Sequence, residues 1–252
     1  MIELKSLVST LDNYLDVSSI PDYCPNGLQV EGGAEIRKII TGVTASQRLL
    51  DIASERNADA VLVHHGYFWK GESSVIAGMK KRRLKTLLAN DISLLAYHLP
   101  LDVHAQVGNN IQLAKRLEVK VDGPLKQERY GALGLVGHFS ETMSVQSVSD
   151  LLQRELQREP VVIAAEDRPI RSVAWCTGAA QGFIESAIEA GVDLYISGEI
   201  SEPTVHAARE CGIHYMSAGH HATERYGVKA LGEWIAENYD VEVEFVDIDN
   251  PV

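Results

Sequence analysis

The chain has 252 residues, 35 acidic against 23 basic, a formal net charge of −12 and 45% hydrophobic residues. That length and composition suit a substantial buried core, in one large domain or two small ones. The acidic balance opposes loose binding to nucleic acid or an anionic membrane, where affinity comes mostly from Lys and Arg, but it leaves room for a small phosphorylated ligand in a locally positive site.

From the N-terminus, Leu4, Leu7, Val8, Leu11 and Leu15 recur at helical spacing and predict an amphipathic opening helix. Glu3, Asp12 and Asp16 in the same stretch, and no apolar run, argue against a signal peptide. Asn26-Gly27 is a turn signal. Ile39 to Val43 predicts a strand, Ser46 to Arg56 a helix, Ala58 to Val63 a buried strand and Ile92 to Tyr97 a third strand. Lys80 to Arg83 with Lys85 form a basic run, read as a solvated helix face rather than a phosphate site. The halves are expected to meet near Lys126 to Arg129, with Gly131 to Phe139 as a joining strand. Val145, Val148, Leu151 and Leu152 then mark a second amphipathic helix. Val173 to Gly178, a helix over Gly182 to Ala190, Gly191 to Ile196 and Ile213 to Ser217 repeat the order of the first half. The pattern predicts an α/β fold of two halves related by duplication, residues 1–126 and 127–252 with an approximate boundary. Each half is read as a small mixed, mainly parallel sheet packed with helices. Cys24, Cys176 and Cys211 are odd in number, widely spaced and without a CxxC pair, and no run of about 18 apolar residues exists. A reducing, cytoplasmic location and no membrane span are expected.

In sheets of this kind ligands gather beyond the carboxyl ends of the strands. Polar residues crowd there: His64-His65-Gly66 after Val63, His98 to His104 after Tyr97, Ser197-Gly198-Glu199 after Ile196, and Ala218 to Glu224 after Ser217. Six of the nine histidines fall in three of these segments. Imidazole with carboxylate suits zinc, iron, manganese, cobalt or nickel better than calcium or magnesium. His64, His65, Asp102, His220 and Glu224 therefore predict a site for two divalent transition-metal ions per chain, at strand ends between the halves. His220 and Glu224, four apart, share one face if the segment is helical. Each of these short motifs alone is weak, since HH pairs and HxxxE are common on surfaces; their gathering at matching strand ends carries the reading. Metal lowers the pKa of bound water, which favours hydrolytic chemistry.

His98, four residues before Asp102, is the candidate general acid or base, with an orienting role for a carboxylate as the alternative. His104 is a weaker instance of the same case. Glu199 is either an orienting group or an acid before a helix that starts near Pro203. Tyr67, Phe68 and Trp69 are open to stacking on a substrate ring or to packing in an oligomer interface. His138, His206 and His214 have no such context and read as ordinary histidines.

The segments Asn26-Gly27-Leu28-Gln29-Val30, Val63-His64-His65-Gly66, His98-Leu99-Pro100-Leu101-Asp102, Ser197-Gly198-Glu199 and Gly219-His220-His221-Ala222-Thr223-Glu224 resemble the signature segments of the Nif-three-like family. That family takes in GTP cyclohydrolase I type 2-like proteins and dinuclear metal centre proteins of the YbgI kind. The resemblance runs from the first helix to the last. It implies intertwined α/β halves, toroidal homohexamers with metal sites facing an internal cavity, and ligands at His64, His65, Asp102, His220 and Glu224, with His221 outside the set. It fixes the site better than the substrate. The leading expectation is a dinuclear-metal-dependent hydrolase for a nucleotide or related phosphorylated or heterocyclic small molecule, similar to GTP cyclohydrolase I type 2. The rival is a non-enzymatic metal-binding hexameric scaffold that works through protein partners.

Overall fold

The computed structural model describes residues 1–125, 133–165 and 168–252. The junction expected at Lys126 to Arg129, and with it the repeat boundary at 126/127, lies outside the described residues, as do Gly131 and Ala132 of the joining strand. By packing, the chain divides into two compact units, Met1–Gly108 with Gly227–Asp249, and Asn109–Tyr226 with Asn250–Val252. Both are mixed α/β.

The first unit holds a five-stranded sheet in the order Glu242–Phe245, Lys38–Thr44, Ala60–His65, Ser93–Ala96, Gly27–Val30. The first four strands are parallel and the last is antiparallel. Strands covered on both faces read as unbroken apolar runs, and the packing shows why these do. One face buries Ile39, Val43, Leu62 and Leu95 against Leu7 and Leu11 of the opening helix Leu4–Tyr14 and against Val228, Leu231 and Ile235. The other buries Ile40, Val61, Val63 and Leu94 against Leu49, Leu50 and Ala53 of the helix Gln47–Glu55 and against Leu84 and Leu87 of the helix Gly78–Ala89. Ser46 caps Gln47–Glu55, its side chain accepting from Leu49 N–H at 3.3 Å, which satisfies one orphan donor of the first turn.

The second unit holds six strands in the order Lys120–Leu125, Gly134–Met143, Ile170–Cys176, Leu194–Ser197, His214–Ser217, Val161–Ile163. The pairings among Ile170–Cys176, Leu194–Ser197 and His214–Ser217 are parallel, and the outer ones antiparallel. Val173, Trp175, Ile196 and Met216 pack against Val148, Leu152 and Leu156 of the helix Val145–Leu156; Ala174, Tyr195 and Tyr215 pack against Ile184, Ala187 and Ala208.

Each unit thus carries three consecutive parallel strands with an antiparallel strand beside the third. One detail recurs with them. The Asp59 carboxylate accepts the backbone N–H groups of Arg37 and Lys38 at 2.7 and 2.9 Å, and the Asp193 carboxylate accepts those of Arg171 and Ser172 at 3.0 and 2.9 Å. In both units an acid just before the second strand ties down the start of the first. These bonds hold Asp193 below the usual carboxylate range although burial pushes it up. The second strand starts at Ala60 rather than Ala58. The helix expected over Gly182 to Ala190 begins as a 3-10 turn, Gln181–Phe183, and continues as Ile184–Glu189. Among the described residues no helix is long and apolar enough to cross a membrane.

Candidate metal centre

The strand Ala60–His65 runs through both histidines, while its neighbour ends at Ala96, opposite Val63. His64 and His65 therefore overhang that edge, and their rings come within 4.6 Å, centroid to centroid, although alternate residues of a strand face opposite ways. His64 is fully buried. Its Nδ1 lies 2.9 Å from the Tyr97 carbonyl. A carbonyl only accepts, so Nδ1 carries the proton and Nε2 keeps the lone pair. Nε2 stands 3.5 Å from Asp102 Oδ1. His65 Nδ1 lies 3.2 Å from Oγ1 of Thr44, its partner across the ladder. Asp102 sits in the short helix Leu99–Val103, two residues beyond the third strand, and its N–H donates to the carbonyl of His98, which caps the helix start, at 3.1 Å. His64, His65 and His98 each offer one ring nitrogen within 4.8 Å of the others.

His98 is buried, and its Nδ1 lies 3.0 Å from the Asp22 carboxylate. Burial pushes that carboxyl up, but the His98 hydrogen bond and charge, with bonds from Asn26 and the Leu99 N–H, outweigh it and bring Asp22 down to about 2. Asn26 joins the two loops, its Nδ2 donating to Asp22 at 2.9 Å and its Oδ1 accepting the His98 N–H at 2.7 Å. Gln29 does the same one step on: its Nε2 donates to the Pro25 and Tyr67 carbonyls and its Oε1 accepts the Tyr67 N–H at 2.7 Å. The Asn26 to Val30 motif is thus a brace between the strand-end loops. Asp22 and Thr44 went unread in the sequence. Their only signal there is position, Asp22 four residues before Asn26 and Thr44 at the end of the strand beside His65.

In the second unit His220 opens the helix His220–Asn238, and Glu224 lies one turn on. His220 Nε2 is 3.2 Å from Glu224 Oε2, and His220 Nδ1 is 2.7 Å from Glu199 Oε1. Glu199 lies ahead of the helix Glu202–Cys211, whose first turn holds Glu202 instead; it is the orienting group of the two alternatives. The Ser197 and Tyr215 hydroxyls lie against each other and against the Glu199 carbonyl, which holds the Glu199 backbone in place. Burial disfavours a charged His220 ring, but Glu224 and Glu199 outweigh it and raise His220 to about 9. Gly178, at φ +70, admits Glu224: a Cβ there would overlap Glu224 Oε1.

All four of these imidazoles are thus anchored through Nδ1, three on oxygen acceptors that fix the tautomer and His65 on a hydroxyl. Such outer partners are what metal-binding histidines have. Two donors about 2.1 Å from one ion lie roughly 3.0–3.4 Å apart. The His64–Asp102 and His220–Glu224 separations of 3.5 and 3.2 Å are close to that spacing. The donor set fits transition-metal ions.

Other candidates lie elsewhere in function. His104 is half-buried beside Tyr14, and its Nδ1 accepts the Gln106 and Val107 N–H groups at 3.3 and 3.2 Å; it closes a turn. Tyr67 is buried, its hydroxyl donating to the Ala45 carbonyl at 2.7 Å, so it is core and not a stacking surface. Trp69 stands edge-on to His98 with ring centroids 5.0 Å apart, its indole N–H donating to the Gly66 carbonyl. Phe68 is exposed, with the Lys80 ammonium 4.9 Å over its ring. Lys80 also pairs with Glu72, while Lys81, Arg82 and Lys85 face solvent. His138 pairs with Asp122, His206 with Glu202, and His214 bridges Ala165 and Arg168.

The family model described as Duf34/NIF3 (NGG1p interacting factor 3) matches residues 2–251. A Pseudomonas aeruginosa protein named GTP cyclohydrolase 1 type 2 homolog is 57% identical over 250 residues, which cover 99% of each chain. The solved structure of protein ybgI, described as of unknown function, superposes with a TM-score of 0.96 at 49% identity over the whole of both chains. TTHA1606 from Thermus thermophilus does so with a TM-score of 0.89 at 34% identity, again over the whole of both. With a family model that spans nearly every residue and relatives above half identity along their full length, the chain belongs to the Duf34/NIF3 family.

Proposed function

We propose that this chain is a hydrolase that works with two divalent transition-metal ions, zinc, iron, manganese, cobalt or nickel, on a nucleotide or related phosphorylated or heterocyclic small molecule in the cytoplasm. The observation that carries the reading is the anchoring of four imidazoles through Nδ1 at strand ends, two of them beside a carboxylate at ligand spacing. In this reading His64, His65, Asp102, His220 and Glu224 are the ligands. Ions so held act as Lewis acids toward a phosphoryl or ring-carbon electrophile and lower the pKa of water. Glu199 and the Tyr97 carbonyl orient His220 and His64. His98, outside the ligand set, carries a proton to or from the reacting group through Nε2, and its exposed neighbour Tyr23 with Trp69 forms an aromatic wall beside it. The name of the relatives makes GTP the first substrate to test.

The test loads the protein with each metal and follows phosphate release or purine-ring opening across a nucleotide panel. Asp102→Asn is expected to lose metal and turnover together. His98→Ala is expected to keep its metal and lose turnover by roughly 10²–10⁴-fold. No turnover by any metal-loaded form across the panel would overturn the enzyme and favour the scaffold that acts through partners.

A further inference from the structure

We propose that Asp22 is the positioning residue for His98, holding that imidazole as its Nδ1–H tautomer and so leaving the Nε2 lone pair available beside His64 and His65. The inference deepens the proposed function and rests on its reading of His98 as the proton carrier.

Asp22 Oδ1 receives the Tyr23 N–H at 2.6 Å and lies 3.0 Å from His98 Nδ1. Asp22 Oδ2 receives the Leu99 N–H at 2.9 Å and Asn26 Nδ2 at 2.9 Å, and lies 3.2 Å from His98 Nδ1. Backbone N–H groups can only donate. The Asn26 amide has no choice either, because its Oδ1 already accepts the His98 backbone N–H at 2.7 Å. Both oxygens therefore face fixed donors, and a group that offers two acceptors is a carboxylate. A neutral imidazole beside it must bring its proton on Nδ1, so the lone pair falls on Nε2. The other tautomer would put N–H at Nε2, where it could neither take a proton nor bind an ion.

The ring is also fixed in plane. Tyr23 and Trp69 both meet it edge-on with centroids at 5.0 Å, at interplanar angles of 75° and 86°. It stands 5.0 Å from the His64 ring and 5.8 Å from the His65 ring, centroid to centroid. The His98 N–H is itself held by Asn26, and the Leu99 N–H by Asp22, so backbone and ring of the same residue hang on one Asp22–Asn26 pair. An asparagine at 22 could not replace the carboxylate. Its amide nitrogen would have to face either Tyr23 N–H and His98 Nδ1, or Leu99 N–H and Asn26 Nδ2. Each arrangement sets donor against donor and is expected to leave a buried donor unmet or to invert the His98 tautomer.

The test is nitrogen NMR of the full chain loaded with zinc and labelled with nitrogen-15 in the histidine rings, with His98 signals assigned by their loss in His98→Ala. The wild type is expected to show a protonated Nδ1 and an unprotonated Nε2 at His98. Asp22→Asn is expected to shift His98 to the Nε2–H form or to a mixture, at unchanged zinc content. An Nε2–H form in the wild type overturns the proposal whatever the variant does, and so does an unaltered Nδ1–H signal in folded Asp22→Asn. Unchanged turnover in His98→Ala would instead remove the functional reading and leave the tautomer assignment standing, which keeps the two failures apart.

Discussion

At the scale of the residue, a side chain buried among donors stores its contribution in its charge. Burial alone would make Asp22 harder to ionise, but the His98 ring, the Asn26 amide and the Leu99 and Tyr23 N–H groups donate to it, and its pKa falls from the ordinary 3.8 to about 2. A carboxyl whose folded pKa is depressed adds stability that is fully present above the unfolded value and is lost as pH falls through the folded one. The window is therefore about pH 4 down to about 2, and the contribution about 2 kcal/mol at neutral pH. Asp22→Asn is expected to flatten the acid limb of a urea-midpoint against pH plot; a limb of the wild-type steepness would show that other carboxyls set it. The candidate ligand histidines could be singled out in the sequence because His64 and His65 follow the apolar run Ala60 to Val63 and His220 comes three residues after the strand His214–Ser217, and strands of that kind end where ligands gather. Asp22 could not. It lies in a loop with no periodicity, and its partner His98 is 76 positions away. Tyr67 misled for the opposite reason: it sits among exposed-looking aromatics, yet one hydroxyl bond to Ala45 takes it into the core.

At the scale of the element, the strands were readable and their ends less so. Runs such as Val61 to Val63 are covered on both faces, and that produces an unbroken apolar signal. Where a run passes into polar residues the signal stops before the strand does, so His64 and His65 read as loop although they continue the ladder to Thr44. Gly178 marks the same kind of boundary in the second unit, two residues beyond the strand Ile170–Cys176. Its left-handed φ and the close approach of Glu224 to its missing Cβ both oppose a side chain there. Gly178→Ala is expected to displace the Glu224 carboxylate and to lower bound metal from about two ions per chain toward about one, with helical content by circular dichroism unchanged. Elemental analysis of protein purified without chelator checks it, and full metal content in the variant would remove Glu224 from the ligand set.

At the scale of the whole molecule, the segment after the strand-end histidines leaves Phe68, Val75, Ile76 and Met79 exposed at 38%, 69%, 57% and 57%. Apolar groups gathered this way mark surfaces that are covered in an assembly, and with the family resemblance they lead us to predict a closed homohexamer. Light scattering at low micromolar concentration should give six times the 27.6 kDa chain mass; a single-chain mass would refute it. The order of the strands has a separate consequence, for synthesis. The first unit completes its sheet with Glu242–Phe245, which lies parallel to Lys38–Thr44 and comes from the far end of the chain. While the ribosome is still making the second unit, the edge of Lys38–Thr44 has no partner, and an open apolar edge recruits other chains. The second unit has all six strands of its sheet within Asn109–Tyr226 and takes only Asn250–Val252, which add no strand, from the end of the chain, so its sheet can close first although it is made second. A chain stopped after Asn238 is therefore expected to aggregate through its first unit, with the second unit folded, and hydrogen exchange on the soluble fraction would read the difference. A fully protected Lys38–Thr44 in that truncated chain would show that the early edge finds cover without its last strand.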